Sequence, residues 1–462
     1  MKRNVVFAVI IFSLLSLGCV SVFAASENGY NYTVSTSGEA TITYCAISKS
    51  GSVTIPDTLG GYPVTSIGAR AFANCKNITR ISIPSSVKSI GERAFYNCQN
   101  VTYIYIPSSV TSIGDSAFTR CNSLDRIAVS NDNTEFSELF TVKGLYNKNG
   151  TKLLRHVGSV LLGKITLPSS VTSIGNCAFE ERYDITEITI PNSVTNIGDS
   201  AFYNCTGLKS VTIGNKVMDI GKDAFFSCSE LSNISLPNGV KSIGAGAFYN
   251  CTKLVSIAIP NTVTSLGNGV FSGCSGLADI TIGSGIKSIA STTFYNCSSL
   301  KNITIPNGVT SIEPSAFQDC KNLTSITLPS SINEIGAWAF KNCSKLSNVY
   351  YSGTQEIWKT ILIGEENNYL TKAVNHYIPS NGTQTTVSND KKIFTVNLVD
   401  FETGKFVIIA LYDNGKFVEM QCAIHKGEEI TFTTDKTYTN AKVMVWDDIT
   451  ILKPVCSVEE LN

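Results

Sequence analysis

Phenylalanine returns every 23 residues along most of this chain. Reading back from Phe340 gives Phe317, Phe294, Phe271, Phe248, Phe225, Phe202 and Phe179 without a slip, and beyond one interruption the same spacing returns at Phe118, Phe95 and Phe72. A fixed period between 20 and 50 residues marks a solenoid or a propeller, in which one repeat buries its apolar face only against its neighbours. The length of 462 residues would otherwise suggest two or three globular domains. A solenoid instead extends without closing a single core.

The copy Thr324 to Leu346, TSITLPSSINEIGAWAFKNCSKL, shows what one period contains. In Ile326-Thr327-Leu328 apolar and polar residues alternate, which predicts a short strand with one buried face. Pro329 ends it, and nine of the 13 prolines (Pro56, Pro84, Pro107, Pro168, Pro191, Pro237, Pro260, Pro306 and Pro329) fall at this step. Proline has no N–H for a sheet ladder, so a column of prolines marks where pairing stops in each coil. A second apolar pair, Ile332 and Ile335, precedes Gly336, which is expected where a side chain would clash. Ala339, Phe340 and Cys343 then supply the returning side of the core. Each copy thus reads as one coil with Ile, Leu, Val, Phe and Cys inward and Ser, Thr and Asn outward.

The tract LTSITLPSSINEIGAWAFKNC, Leu323 to Cys343, and its ten relatives resemble the leucine-rich repeat of the BspA type, found in bacterial and protist surface proteins. The resemblance spans about residues 30 to 378. It implies a mainly β solenoid, a curved, right-handed leucine-rich repeat of about 11 coils of 23 residues. It also implies an exported or surface-exposed protein that works by adhesion or protein binding.

Met1 to Ala24 carries Lys2 and Arg3, an apolar run from Val5 to Leu17, and Val22-Phe23-Ala24 ahead of Ala25, the layout of a secretory signal peptide cut after Ala24. Lipoprotein processing at Cys19 is the alternative, but Ser16 stands where such sites want Leu. The whole chain has 36 basic and 36 acidic residues, and losing Lys2 and Arg3 with the leader leaves it slightly acidic. That charge points to no nucleic acid and no anionic membrane.

The exported part is read as a solenoid over residues 25–378, with an N-terminal cap (25–52), an insert (about 130–163) and a C-terminal cap (347–378). The first copy, Val53 to Cys75, carries an extra loop at Gly60-Gly61-Tyr62-Pro63. Phe118 and Phe179 stand 61 residues apart, and inside the insert Asn149-Gly150 is a hairpin-turn signal. The copy after the insert has Arg182 where others have Cys. An unpaired buried arginine is too costly, so this coil is expected to bend outward; the other reading makes the insert a ligand-facing lip. Residues 379–390 read as a polar linker, and 391–462 as a small all-β, sandwich-like domain with strands at Ile393–Val399, Lys405–Tyr412, Phe417–Ile424, Glu429–Thr434 and Ala441–Trp446.

Ten of the 15 cysteines (Cys75, Cys98, Cys121, Cys205, Cys228, Cys251, Cys274, Cys297, Cys320 and Cys343) occupy one repeat position. Coils about 4.8 Å apart align them into a column whose parallel side chains suit a buried apolar role better than disulfides. Cys422 and Cys456 are the pair that could bridge. His156, His376 and His425 lie in different segments, so no shared metal or proton-transfer site is expected. There is no phosphate loop, nucleophile elbow or metal-ligand spacing, so neither an enzyme nor a cofactor is expected.

The outward face of the first strands remains. Arginine and aromatic residues concentrate binding energy, and they gather in the N-terminal coils as Arg80, Tyr103, Tyr105 and Arg126. These are the expected protein-contact residues of a monomer that meets a protein on a host or bacterial surface. The alternative gives the binding to the C-terminal β domain, acting on glycan or cell wall.

Overall fold

In the computed structural model the described residues are 23–158 and 163–377. Beyond Tyr377 they are the strands Thr383–Val387, Ile393–Leu398, Phe406–Asp413, Lys416–Ile424, Ile430–Thr433, Asn440–Trp446 and Glu459–Leu461. The leader through Val22, with Cys19, lies outside them, as do His425 and Cys456. The chain divides into two compact units, Met1–Leu277 and Ala278–Asn462.

Each regular coil of the first unit gives one strand to each of two parallel sheets. Ser210–Thr212 pairs with Glu187–Thr189 on one side and Asn233–Ile234 on the other, while Asp219–Ile220 lies between Asn196–Ile197 and Ser242–Ile243. The Ser-Val-Thr alternation turns Val211 inward and leaves Thr212 exposed. The arc after the second strand is laddered to its neighbour as well: Asp223, Phe225 and Ser227 N–H groups donate to the carbonyls of Ala245, Ala247 and Tyr249 at 2.8, 2.7 and 2.7 Å. Backbone polarity is therefore satisfied even where no strand forms.

Two positions of this arc, two residues before and two after the phenylalanine, have left-handed backbone. In one coil they are Asp223 and Ser227, at φ 53° and 55°, and Asn74, Asn97, Asn204 and Asn250 hold the second position elsewhere in the unit. Asparagine tolerates this region better than most residues, which gives the recurring Asn a backbone cause. The glycine after the second strand has a different one. A Cβ on Gly244 would stand 2.4 Å from the Lys222 backbone nitrogen, so the glycine is needed for close approach of neighbouring coils.

The phenylalanines form a buried column. Ring centroids of Phe179, Phe202, Phe225, Phe248 and Phe271 follow at 4.9, 5.0, 5.3 and 5.6 Å with planes within 8°. Beside it, thiols donate to the carbonyl of the phenylalanine one coil earlier, as Cys228 to Phe202 and Cys251 to Phe225, both at 3.2 Å. Among the described residues the cysteines are thiols rather than disulfides, and those of the column are buried. Burial pushes the Cys205 thiol up to about 12 and holds those of Cys228 and Cys251 well above the ordinary thiol value, so these three sulfurs are small protonated packing groups.

The first unit opens with the antiparallel strands Phe23–Glu27, Tyr30–Val34 and Ala40–Cys45, the last of which turns parallel to Tyr62–Ile67. Within it the insert is a meander of Phe136–Leu139, Gly144–Asn147 and Lys152–His156. Its last strand pairs in parallel with Ser173–Ile174.

In the second unit Phe294, Phe317 and Phe340 stack at 5.1 and 5.2 Å, and the thiols of Cys320 and Cys343 again reach the carbonyls of Phe294 and Phe317. Past the last motif the pairing persists: Ser325–Pro329 is followed by Asn348–Ser352 and then Val374–Tyr377. Asn367 closes the arc, its Oδ1 accepting the Phe340 N–H at 2.9 Å that a further coil would otherwise take. Turns lacking the motif raise the count from the 11 expected to about 15 across the β-solenoid. Further on, the segment expected to be a polar linker contains the strand Thr383–Val387. Its β-prone Thr and Val residues pair antiparallel with Ile393–Leu398. The remaining strands complete a three-stranded and a four-stranded antiparallel sheet.

Candidate functional site: the first-strand face and the root of the insert

Arg80, Tyr103 and Arg126 come from three consecutive coils, and parallel pairing sets them side by side. Arg80 is the register partner of Tyr103, and Tyr103 of Arg126, while Tyr105 stands opposite Ser82 and Ala128. All point away from the core, with Tyr105 39% exposed. The insert adds two residues that sequence reasoning missed. Glu138 takes the Arg126 guanidinium in a two-pronged ion pair at 2.7 and 3.0 Å, and Phe140, 67% exposed, lies 5.2 Å beneath it. Arg126 thus braces the insert against the face, and its charge is largely matched by Glu138.

At the other edge of the insert the coil ladder changes character. Above it Arg93, Phe95 and Asn97 donate to the carbonyls of Asp115, Ala117 and Thr119; below it Cys177, Phe179 and Glu181 donate to those of Asp199, Ala201 and Tyr203. Between these two sets side chains take over. Asn176 donates to Asp115, Ser116 and Thr119 donate to the buried Glu180, and Arg120 pairs with the buried Glu181. Arg155, itself buried, donates to the carbonyls of Cys177 and Glu180 at 2.9 and 3.2 Å. A cavity of about 470 Å³ remains beside them, floored by Phe118, Leu124 and Val157.

His156 and Arg182 face each other here. The His156 N–H donates to the Ala178 carbonyl, as those of Phe179 and Phe202 do to Ala201 and Ala224, and its ring stacks on Phe179 at 5.2 Å. It therefore fills the phenylalanine position of an incomplete coil. Arg182, in the cysteine position, reaches both Nδ1 and the carbonyl oxygen of His156, and the Gly158 carbonyl. Asp184 takes the rest of its charge at 2.9 and 2.7 Å. The expected outward bend is corrected: Arg182 is fully paired, and its coil keeps register with Phe202 stacked on Phe179. Counting 23 back from Phe179 lands on His156, a signal that was present in the sequence.

The chemistry this cluster offers is limited. Cys177 accepts from the Ser116 hydroxyl at 3.0 Å, but burial and the neighbouring Glu180 push its thiol up to about 12. A nucleophilic cysteine needs the opposite shift. Among the described residues no group of His, Cys, Asp and Glu could hold a metal ion. In the second unit His376 stacks on Tyr350 at 4.7 Å, with Nε2 3.0 Å from Asn348 Oδ1, a second aromatic spot on a first-strand face that sequence reasoning missed.

The BspA type leucine rich repeat region matches in six copies, over residues 41–147, 157–278 and 241–368. Among solved structures, a leucine rich cell surface protein from Faecalibacterium prausnitzii is 31% identical, over 74% of this chain and 98% of its own, with a TM-score of 0.45. A leucine-rich repeat protein from Eubacterium ventriosum is 23% identical over 79% and 97%, with a TM-score of 0.40. The pneumococcal vaccine antigen PcpA is 19% identical over 78% and 99%, with a TM-score of 0.36. No curated protein matches.

Proposed function

The chain belongs to the BspA-type leucine-rich repeat proteins, and on that premise we propose that it is an exported protein whose N-terminal first-strand face binds a protein on a host or bacterial surface. The observation that carries this reading is the row Arg80, Tyr103, Arg126 in strand register, extended by Phe140 of the insert. Solenoids present long repeated faces to their partners, and rigid aromatic and arginine side chains are the residue types on which interface energy concentrates. Beyond the insert the corresponding positions are Lys164 and Glu187, which pair with each other, and then the small polar Ser210, Asn233 and Ser256. Export is supported by the basic, apolar and small-residue layout of Met1 to Ala25. Among the described residues no helix is long and apolar enough to cross a membrane.

The test is capture of surface proteins by the exported chain, followed by affinity measurement with the captured partner. Arg80→Ala and Tyr105→Ala are each expected to weaken binding about 10-fold or more, the scale of a residue worth over about 1.4 kcal/mol. Thr212→Ala should leave it unchanged. Equal affinity for all three variants would remove the face from consideration. Loss only on deleting residues 383–462 would move the binding to the C-terminal strands and favour glycan or wall recognition.

A further inference from the structure

We propose that the root of the insert is an acid-sensitive latch, in which a proton on His156 breaks its hydrogen bond with Arg182 and frees the strand Lys152–His156 from the coil beneath it. In the regular coils these two positions hold phenylalanine and cysteine, a pair that is inert to mild acid. Here they hold an imidazole and a guanidinium in contact. Guanidinium nitrogens only donate, so Nδ1 must be the acceptor and the ring neutral, with its proton on Nε2. A proton at Nδ1 would set donor against donor and cation against cation.

The surrounding charges do not relieve that conflict. Arg155, on the same strand, is a second cation. From the coil below, Asp184 is already held by two Arg182 nitrogens, Glu181 is paired with Arg120, and Tyr183 is neutral. From the coil above, the Cys121 thiol is engaged with the Phe95 carbonyl, and Asp125 is paired with Lys143 of the insert at 2.8 Å. Burial first, then Arg182 and Arg155, hold the imidazole well below its ordinary value.

The sign follows from this direction. An opened root exposes an imidazole that takes a proton below about pH 6.5, whereas the closed root refuses it. The latch is thus fully closed above about pH 6.5 and loses stability as pH falls below that value. Each pH unit of fall multiplies the opening constant by up to about 10 until the closed form also protonates. Because the insert holds Glu138 and Phe140 against Arg126, opening its root would also disturb the first-strand face. The latch itself is tested without any partner.

Hydrogen exchange of the full chain, followed by mass spectrometry at pH 7.5, 6 and 5 and corrected for intrinsic rates, reads the opening constant directly. Peptides over 144–157 are expected to open about 10-fold or more readily at pH 5 than at pH 7.5, while peptides around Phe225 stay unchanged. His156→Phe restores the residue of the column and should abolish the rise; His156→Gln, uncharged throughout, should do the same and serves if the Phe variant misfolds. A flat wild-type profile, or the same rise in both variants, overturns the latch. So does a His156 imidazole that titrates near 6.5 by NMR while the insert stays closed.

Discussion

Phe225→Ala is expected to lower the unfolding free energy by about 3–5 kcal/mol, the range for removing a fully buried phenylalanine. Its ring is buried between Phe202 and Phe248, stacked almost parallel to both. The space left cannot easily collapse, because the Phe225 N–H is tied to the Ala247 carbonyl and its own carbonyl accepts the Cys251 thiol. In a solenoid stability is a sum over nearest-neighbour interfaces, and this one change weakens two of them. Phe226 is the control, since its ring stacks as closely on Tyr203 and Tyr249 but sits half exposed on the outer side. Phe226→Ala should cost about 1 kcal/mol, mostly the value of the aromatic contacts. Urea denaturation of the two variants distinguishes them; equal losses would mean that the column is not the core.

Arg120→Ala is expected to cost about 2–3 kcal/mol, far more than an ordinary surface ion pair. Its partner Glu181 keeps only 4% of its side-chain surface exposed, whereas Arg120 keeps 42%. Truncating the arginine leaves a buried carboxylate without its counter-charge, which in a fully buried pair costs 3–5 kcal/mol; solvent around the half-exposed guanidinium reduces that figure. The pair also stands where side chains replace the backbone ladder between the Phe118 and Phe179 coils, so little else can compensate locally. Lys253→Ala, which breaks the exposed pair with Glu230, should cost less than about 1 kcal/mol. If the two substitutions cost the same in denaturation experiments, the junction is not held by its buried carboxylates.

Much of this architecture was legible because repetition amplifies weak signals. A two-residue strand such as Asp219–Ile220 carries almost no information alone, but the same Ile one coil up and one coil down, Ile197 and Ile243, fixes its pairing. The inward column and the pairing of Arg80 with Tyr103 follow from the same register. What stayed hidden had lost the motif or depended on the backbone. Asn204 looks like any outward polar residue until its left-handed φ is known. Arg182 looked like a fault because two of its three partners, His156 and Gly158, lie back in the aperiodic insert, and the Phe340 N–H bond to Asn367 spans 27 residues that break the period. Thr383–Val387 lacks the apolar alternation by which strands are found in sequence.

The central claim is that coils 23 residues apart lie one strand spacing apart, and a distance between spin labels measures it most directly. Residues 164, 187, 210 and 233 are successive register partners in the first unit, and residue 256 stands at the next repeat of the same position. Nitroxides at 164 and 256, in a Cys422→Ser, Cys456→Ser background, are predicted to lie about 19 Å apart, four strand spacings, with a narrow distribution. A broad distribution, or a mean beyond about 30 Å, would mean that these segments fold apart rather than stack.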